Sequence, residues 1–381
     1  MRYAHRPVTG RLKRRGWLTL VAVLVVAGVA AAPSTATPHR HRPHGHDLRV
    51  HQRNLVADRP GHAKLTDPNL VNAWGLAFGP TTPAWVADNG TGVSTLYRGA
   101  TSMDPKPSRV PLVVSIPGGA PTGAVWNGGT GFTVHSGMAS GPALFLFSSE
   151  AGVISGWNAA VPPPPPSMDA QVAATVPGAI FKGLAIADTK EGPRLYATDF
   201  HNGRVDVWND MFAPAGKPGA FTDRRIPKGY APFGIQTVAG KFVVVTYAKQ
   251  DADAEDDVAG AGLGFVDVYD TAGNLLRRFA AGRPLNAPWG IALAPKGFGR
   301  ASGDLLIGNF GDGRVNAFDR HGHDLGALRD KHGRKLEIDG LWALEFGNGV
   351  IGNPNTLLFT AGPDDESHGL LGKIVTAHKH G

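Results

Sequence analysis

Short apolar runs alternate with small and polar residues from about position 48 to the C-terminus, and no apolar stretch with helical spacing interrupts them. Six segments share one order. A small residue opens an apolar strand, a turn follows, and a second apolar strand ends on a polar residue. A Gly-rich turn then leads to a third strand. The third copy is clearest: Lys182-Gly183-Leu184-Ala185-Ile186, then Arg194–Asp199, the turn His201-Asn202-Gly203, and Arg204-Val205-Asp206-Val207-Trp208. The fifth repeats it with Trp289-Gly290-Ile291-Ala292-Leu293, Asp304–Asn309, Gly311-Asp312-Gly313 and Arg314–Phe318. The small anchors are Gly75, Gly123, Gly183, Gly234, Gly290 and Ala343, spaced by 48, 60, 51, 56 and 53 residues.

A period near 50 residues with four short strands per unit is the signature of a propeller blade. The expected fold is therefore all-β, a six-bladed β-propeller. Innermost strands crowd the axis, which explains a small residue at each anchor. Outer strands are expected at Pro111–Ile116, Gln171–Val176, Phe221–Ile226 and Leu275–Ala280, with Lys335–Ile338 for blade five. The stretch Leu48–Val56 has no blade of its own and is expected to close the ring as the outer strand of blade six, which removes the open edges. Two β-sandwiches would not produce six similar periods, and a seventh blade would need about 50 more residues.

Composition fits this reading. Of 381 residues 52 are Gly and 30 are Pro, and only 18% are charged. The formal charge of +7 is misleading. Six of the 38 Lys and Arg precede Leu18–Ala32, an uncharged run, and without them 32 basic residues face 31 acidic ones. A basic start, a short apolar run and small residues at Ala30-Ala31-Ala32 or Ser34-Thr35-Ala36 read as an export signal over 1–36. Fifteen apolar residues are short for a bilayer span of about 20. Arg14-Arg15-Gly16-Trp17-Leu18 also permits twin-arginine export. Residues 37–47, with His39, His41, His44 and His46, read as a spacer or as an adventitious metal-binding stretch. The propeller then spans 48–376 and a tail 377–381. The expected location is secreted or envelope-associated, with no membrane span in the mature chain. The chain contains no Cys. Stability outside the cytoplasm must then come from core size, ring closure or a bound ion.

The turn Asp199-Phe200-His201-Asn202-Gly203-Arg204-Val205, echoed at Asn309–Val315, resembles the NHL-repeat type of propeller. Residues 48–376 are also similar to an uncharacterised family of secreted bacterial propellers, through Asn54–Asp58, Asn72-Ala73-Trp74-Gly75, Ile154–Asn158 and Lys249–Asp253. That resemblance implies a fold and no activity.

Successive blade strands are antiparallel, so the start of the innermost strand and the end of the second lie on one face of the disc. That face gathers Asn72, Lys182, Asn286 and Asp339 from strand starts, and Asp88, Asn89, Asp199 and Asn309 from strand ends. These eight are the expected ligand-binding residues, although Asp and Asn at strand ends also bond their own turns. Two acidic loops fall on the same face. One carries Asp251, Asp253, Glu255, Asp256 and Asp257; the other carries Asp364, Asp365 and Glu366. Hard oxygen ligands make Ca²⁺ the expected ion there, against the plainer reading of solvated acidic loops. The first loop lacks the glycine and glutamate spacing of an EF-hand.

No nucleophile elbow, phosphate-binding loop or His-Glu-x-x-His pattern is present, and no basic patch suggests nucleic acid. The expectation is a monomeric, non-catalytic binding propeller for an extracellular ligand, glycan or protein. A metal-dependent hydrolase or lyase of gluconolactonase-like type is the competing expectation. In it a central divalent ion would be held by Asp88, Asp199, Asn309 and Asp339, with Lys182 stabilising charge.

Overall fold

The computed structural model of the protein describes residues 48–377. Six of their sheets have the strand order of propeller blades, antiparallel throughout save a short parallel pairing of Leu65–Thr66 with the closing strand of the sixth. Blade 1 runs from Ala73–Ala77 through Ala84–Asp88 and Val93–Gly99 to Pro107–Ser115. Blade 2 has Pro121–Trp126, Phe145–Ser149, Val153–Trp157 and Gln171–Thr175. Its long interval holds an extra hairpin, Thr133–Ser136 with Ala139–Pro142. Blade 3 has only Phe181–Ala187, Arg194–Asp199 and Arg204–Asn209. Blade 4 has Tyr230–Val238, Phe242–Lys249, Phe265–Asp270 and Leu275–Ala281. Blade 5 has Pro288–Leu293, Leu305–Asn309, Val315–Phe318 and Asp324–Ala327. Blade 6 has Leu341–Phe346, Leu357–Ala361 and Leu370–Thr376. Its outer strand is Val50–Ala57, antiparallel to Leu370–Thr376. The ring is thus closed by residues from opposite ends of the sequence.

Two outer strands differ from expectation. Phe221–Ile226 is not a strand. Phe221 is instead a buried plug between blades 3 and 4, ringed by Tyr196 and Tyr269 at 5.5 and 5.2 Å. Asp223, two residues on, is tied down by Arg225 and Arg278. In blade 5 the strand is Asp324–Ala327, and Lys335 makes only a single bridge to Arg329. Leu336 and Ile338 are apolar because they cap the core between blades 5 and 6, not because they alternate along a sheet.

The anchors show why small residues recur. A Cβ on Gly75 would stand 2.5 Å from the Thr122 carbonyl oxygen, and one on Gly290 would stand 2.6 Å from that of Trp342. Each of the five glycine anchors meets the backbone of the next blade's innermost strand, so a side chain there would push the ring open; the sixth anchor, Ala343, carries only a methyl. The innermost strands also lose register at the anchor, as between Phe181 and Gly183. The displaced N–H is recovered by a hydroxyl. Gly183 N–H donates to Thr198 Oγ1 (2.7 Å), and that hydroxyl donates to the Phe233 carbonyl of the next blade (2.7 Å). Thr360 does the same between Ala343 and Trp74. Ser148 and Thr246 accept from the anchors Gly123 and Gly234. A hydroxyl near the end of the second strand is therefore a staple, between blades at Thr198 and Thr360.

Thr198→Val should leave Gly183 N–H and the Phe233 carbonyl unpaired at a cost of about 1–3 kcal/mol. Thr198→Ser should retain most of the stability. Urea unfolding of both variants checks this; equal losses would refute the staple.

Candidate functional site

The residue before each anchor is Trp74, Thr122, Lys182, Phe233, Trp289 or Trp342. Four are aromatic, and they plug the axis. Trp74 stacks on Trp342 with ring centroids 3.6 Å apart, and Trp289 meets both edge-on. Phe310, from the end of blade 5's second strand, covers Trp342 at 4.1 Å, and Phe233 approaches it at 5.8 Å. Below the plug lies a cavity of about 30 Å³, lined by Leu76, Leu184, Ile291 and Leu344 with Gln236 and Glu345. It has room for about one water molecule. Burial pushes Glu345 up to about 7, with Gln236 as its amide partner.

Thr122 and Lys182 are the two non-aromatic residues at these positions, and Lys182 is the charged one. Its neighbours fix its stem, so its side chain is 2% exposed, yet its ammonium must find oxygen. It does so above the plug. Nζ lies 5.2 Å from the Trp74 ring and donates to Glu150 Oε1 (2.6 Å) and Asp256 Oδ1 (3.1 Å). Glu150 Oε2 accepts from Asn89 Nδ2 (3.1 Å), and Asn89 Oδ1 accepts from Asn72 Nδ2 (3.2 Å). Asn72 Oδ1 in turn accepts from Trp342 Nε1 (3.3 Å). Asp257 and Glu366 complete the group. Each feels the Lys182 charge, and each keeps one buried carboxylate oxygen without a partner. Blades 1, 2, 3, 4 and 6 supply these polar groups, and blade 5 supplies Phe310 beneath them.

Four carboxylates thus face one ammonium. Burial alone would lower the Lys182 pKa, but Glu150 and Asp256 outweigh it and hold the value above that of an ordinary lysine. Asp257 and Glu366 are held toward their neutral forms. Burial pushes Asp257 up to about 7; Lys182 opposes this, while Glu366 and Asp256 add to it. Glu366 is raised chiefly by burial, with Lys182 and an Asn72 hydrogen bond working against the shift.

The site joins two sets of residues that the sequence presents separately. Asn72, Asn89 and Lys182 come from the expected ligand face; Asp256, Asp257 and Glu366 come from the expected metal loops. The remaining residues lie elsewhere. Asp88 is fully buried, accepts from Thr95 Oγ1 (2.7 Å), and is raised well above the usual carboxylate range by burial. Asp199 accepts from the N–H and side chain of Asn202, closing its own turn. Asn309 bonds Asp312 and the Pro284 carbonyl, and Asn286 accepts from Gly260 N–H. Asp339 accepts from Asp364 N–H, and Asp364 pairs with Arg59. Asp251 caps Glu255 within the loop; Asp253, Glu255 and Asp365 are exposed. Among the described residues no group of three or more His, Asp or Glu side chains is placed to hold a metal ion. Asp88, Asp199, Asn309 and Asp339 each hydrogen-bond within their own surroundings, while Asp88 Oδ1 and Asn309 Oδ1 stay buried without a partner.

Glu150 is the residue that pattern reading misses. It stands one position past the end of blade 2's second strand, equivalent to Asn89 in blade 1. It is also the only Asp, Glu, Lys or Arg between Arg109 and Asp169. A lone charge in so neutral a stretch was the available signal.

The titration of Asp257 makes a signed prediction. Its folded value near 7 lies above the ordinary 3.8, so the fold accommodates the protonated carboxyl. That contribution is complete below about pH 3.8 and is lost as pH rises through 7. Asp257→Asn cannot ionise. It should stabilise the protein at pH 8 by roughly 2–4 kcal/mol and change little at pH 4. Denaturation at the two pH values checks this, and a pH-independent effect would contradict it.

No family model matches the chain. It is 32% identical over 332 residues to the uncharacterised protein R648 of Acanthamoeba polyphaga mimivirus, covering 84% of this chain and 78% of that one. Protein L690 of the same virus is 31% identical over 338 residues, covering 84% of both. Among solved structures, a putative gluconolactonase aligns with a TM-score of 0.51 at 14% identity, over 87% of this chain and 97% of that one. A streptogramin B lyase (TM-score 0.50, 10% identity, 86% and 98% covered) is comparable. So is a luciferin-regenerating enzyme (0.50, 12%, 87% and 96%). At these identities the structures share the six-bladed fold alone. The chain belongs to the family of the uncharacterised mimivirus propeller-length proteins R648 and L690.

Proposed function

We propose that this protein is an exported, ligand-binding propeller whose recognition site is the carboxylate rim above the tryptophan plug. Its ligand carries positive charge. The observation behind this reading is the surplus of carboxylates over cations: Glu150, Asp256, Asp257 and Glu366 surround a single buried ammonium, and two of their oxygens have no partner. Lys182 is itself an alkylammonium over an indole face, the arrangement that binds amine ligands. Asp256 is the most exposed of the four and offers the outer approach. The rim favours an amine or guanidinium group, with Ca²⁺ as the inorganic alternative for the same oxygens. Export is proposed from the basic start and apolar run of residues 1–36, which lie outside the described residues.

A catalytic reading has one observation in its favour. A carboxyl with a pKa near 7, as at Asp257, can exchange protons with a bound substrate at neutral pH. If the protein is a hydrolase or lyase, a screen of lactones and esters should find turnover that Asp257→Asn abolishes.

Titration calorimetry at pH 8 with spermidine, Ca²⁺ and citrate separates the possibilities. Spermidine should bind, weaken as salt is raised, and lose at least tenfold in affinity in Glu150→Gln. Ca²⁺ binding in place of spermidine would assign the inorganic ion. Citrate binding, or no heat with either cation, would overturn the reading.

A further inference from the structure

Glu366 reaches the site from an unusual turn. Asp364, Asp365 and Glu366 are three successive non-glycine residues with φ of 56°, 52° and 62°. Left-handed backbone is disfavoured for L-residues and normally occurs one residue at a time. A run of three persists only where the surroundings impose it. Part of that support is local: Glu366 N–H donates to the Gly362 carbonyl (3.1 Å), and Ser367 N–H donates to that of Asp364 (3.2 Å).

The rest comes from the other end of the chain. Asp58 and Arg59 directly follow Val50–Ala57, the strand that closes the ring. Arg59 Nη2 pairs with Asp364 Oδ2 at 2.7 Å. Asp58 Oδ2 meets His368 Nδ1 at 2.6 Å, and its Oδ1 accepts from Gly369 N–H (3.2 Å). One residue pair thus grips both ends of the segment that presents Glu366. The His368 carbonyl also accepts from Asn72 N–H (3.1 Å), which ties the same segment to a site residue.

We infer that Asp58 and Arg59 are positioning residues: docking of the ring-closing strand sets the left-handed turn and thereby places Glu366 in the cation site. This rests on the carboxylate rim being the binding site, but the placement of Glu366 can be tested without a ligand. Exposed ion pairs add little to global stability, so the clasp should act on local geometry more than on unfolding.

The test uses the full-length chain with Arg59→Ala and Arg59→Lys. Side-chain ¹³C NMR follows the titration of Glu366, and calorimetry follows spermidine binding. In Arg59→Ala the Glu366 midpoint should fall toward that of a solvated glutamate and spermidine affinity should drop five- to tenfold, with thermal stability nearly unchanged. Arg59→Lys should restore both. If Arg59→Ala does not fold, Asp58→Asn carries the same expectation. A Glu366 midpoint that does not move in a folded variant overturns the inference. If the wild type does not bind spermidine, the binding reading fails, while the Glu366 titration still decides the clasp.

Discussion

The structure depends on backbone-to-backbone approach between neighbouring innermost strands. Five glycines and one alanine leave room for it, and the absent side chains are what the ring requires. At the tightest of these contacts an added methyl would meet the next blade's carbonyl, so the tolerance is smaller than one carbon atom. The hydroxyl staples at Thr198 and Thr360 follow from the same geometry, because bending the strand at the anchor frees an N–H that must be satisfied. Closure by Val50–Ala57 then completes a ring in which every blade has a neighbour on each side.

A tight ring has an electrostatic consequence. The residue before each anchor is driven toward the axis, whatever its chemistry. Aromatic residues there stack into a plug. Lysine cannot, and the cost of burying its ammonium is offset only because loops from blades 2 and 4 bring carboxylates to hydrogen-bonding distance. The blade 4 loop and a loop of blade 6 bring two further carboxylates, Asp257 and Glu366, which one lysine does not neutralise. Burial, with Glu366 and Asp256 adding to it, pushes Asp257 up to about 7, and the excess of carboxylates is the basis for proposing a positively charged ligand. The clasp at Asp58 and Arg59 connects that rim to ring closure, so fold and site share one set of constraints.

Much of this was legible in the sequence. Blade count, anchor positions and the closing strand followed from periodicity, which reports backbone geometry directly. The outer strands of blades 3 and 5 did not. Phe221 and Leu336 fill gaps between blades, and an apolar plug has the same local pattern as an edge strand. The site was half legible. Topology placed Asn72, Asn89, Lys182 and the acidic loops on one face, but sequence could not show that Lys182 joins the loops to the axis. Nor could it show that Asp199 and Asn309 turn back to serve their own hairpins. Those outcomes depend on side-chain direction, which spacing does not encode.

The central claim is that carboxylates from separate blades converge on the Lys182 ammonium, and titrating that lysine by ¹³Cε NMR in the wild-type protein tests it most directly. The account predicts a midpoint above the ordinary lysine value near 10.4, because Glu150 and Asp256 stabilise the charge more than burial opposes it. A midpoint below that value would show a lysine governed by burial alone. The carboxylates would then lie elsewhere, and the site built on them would not exist.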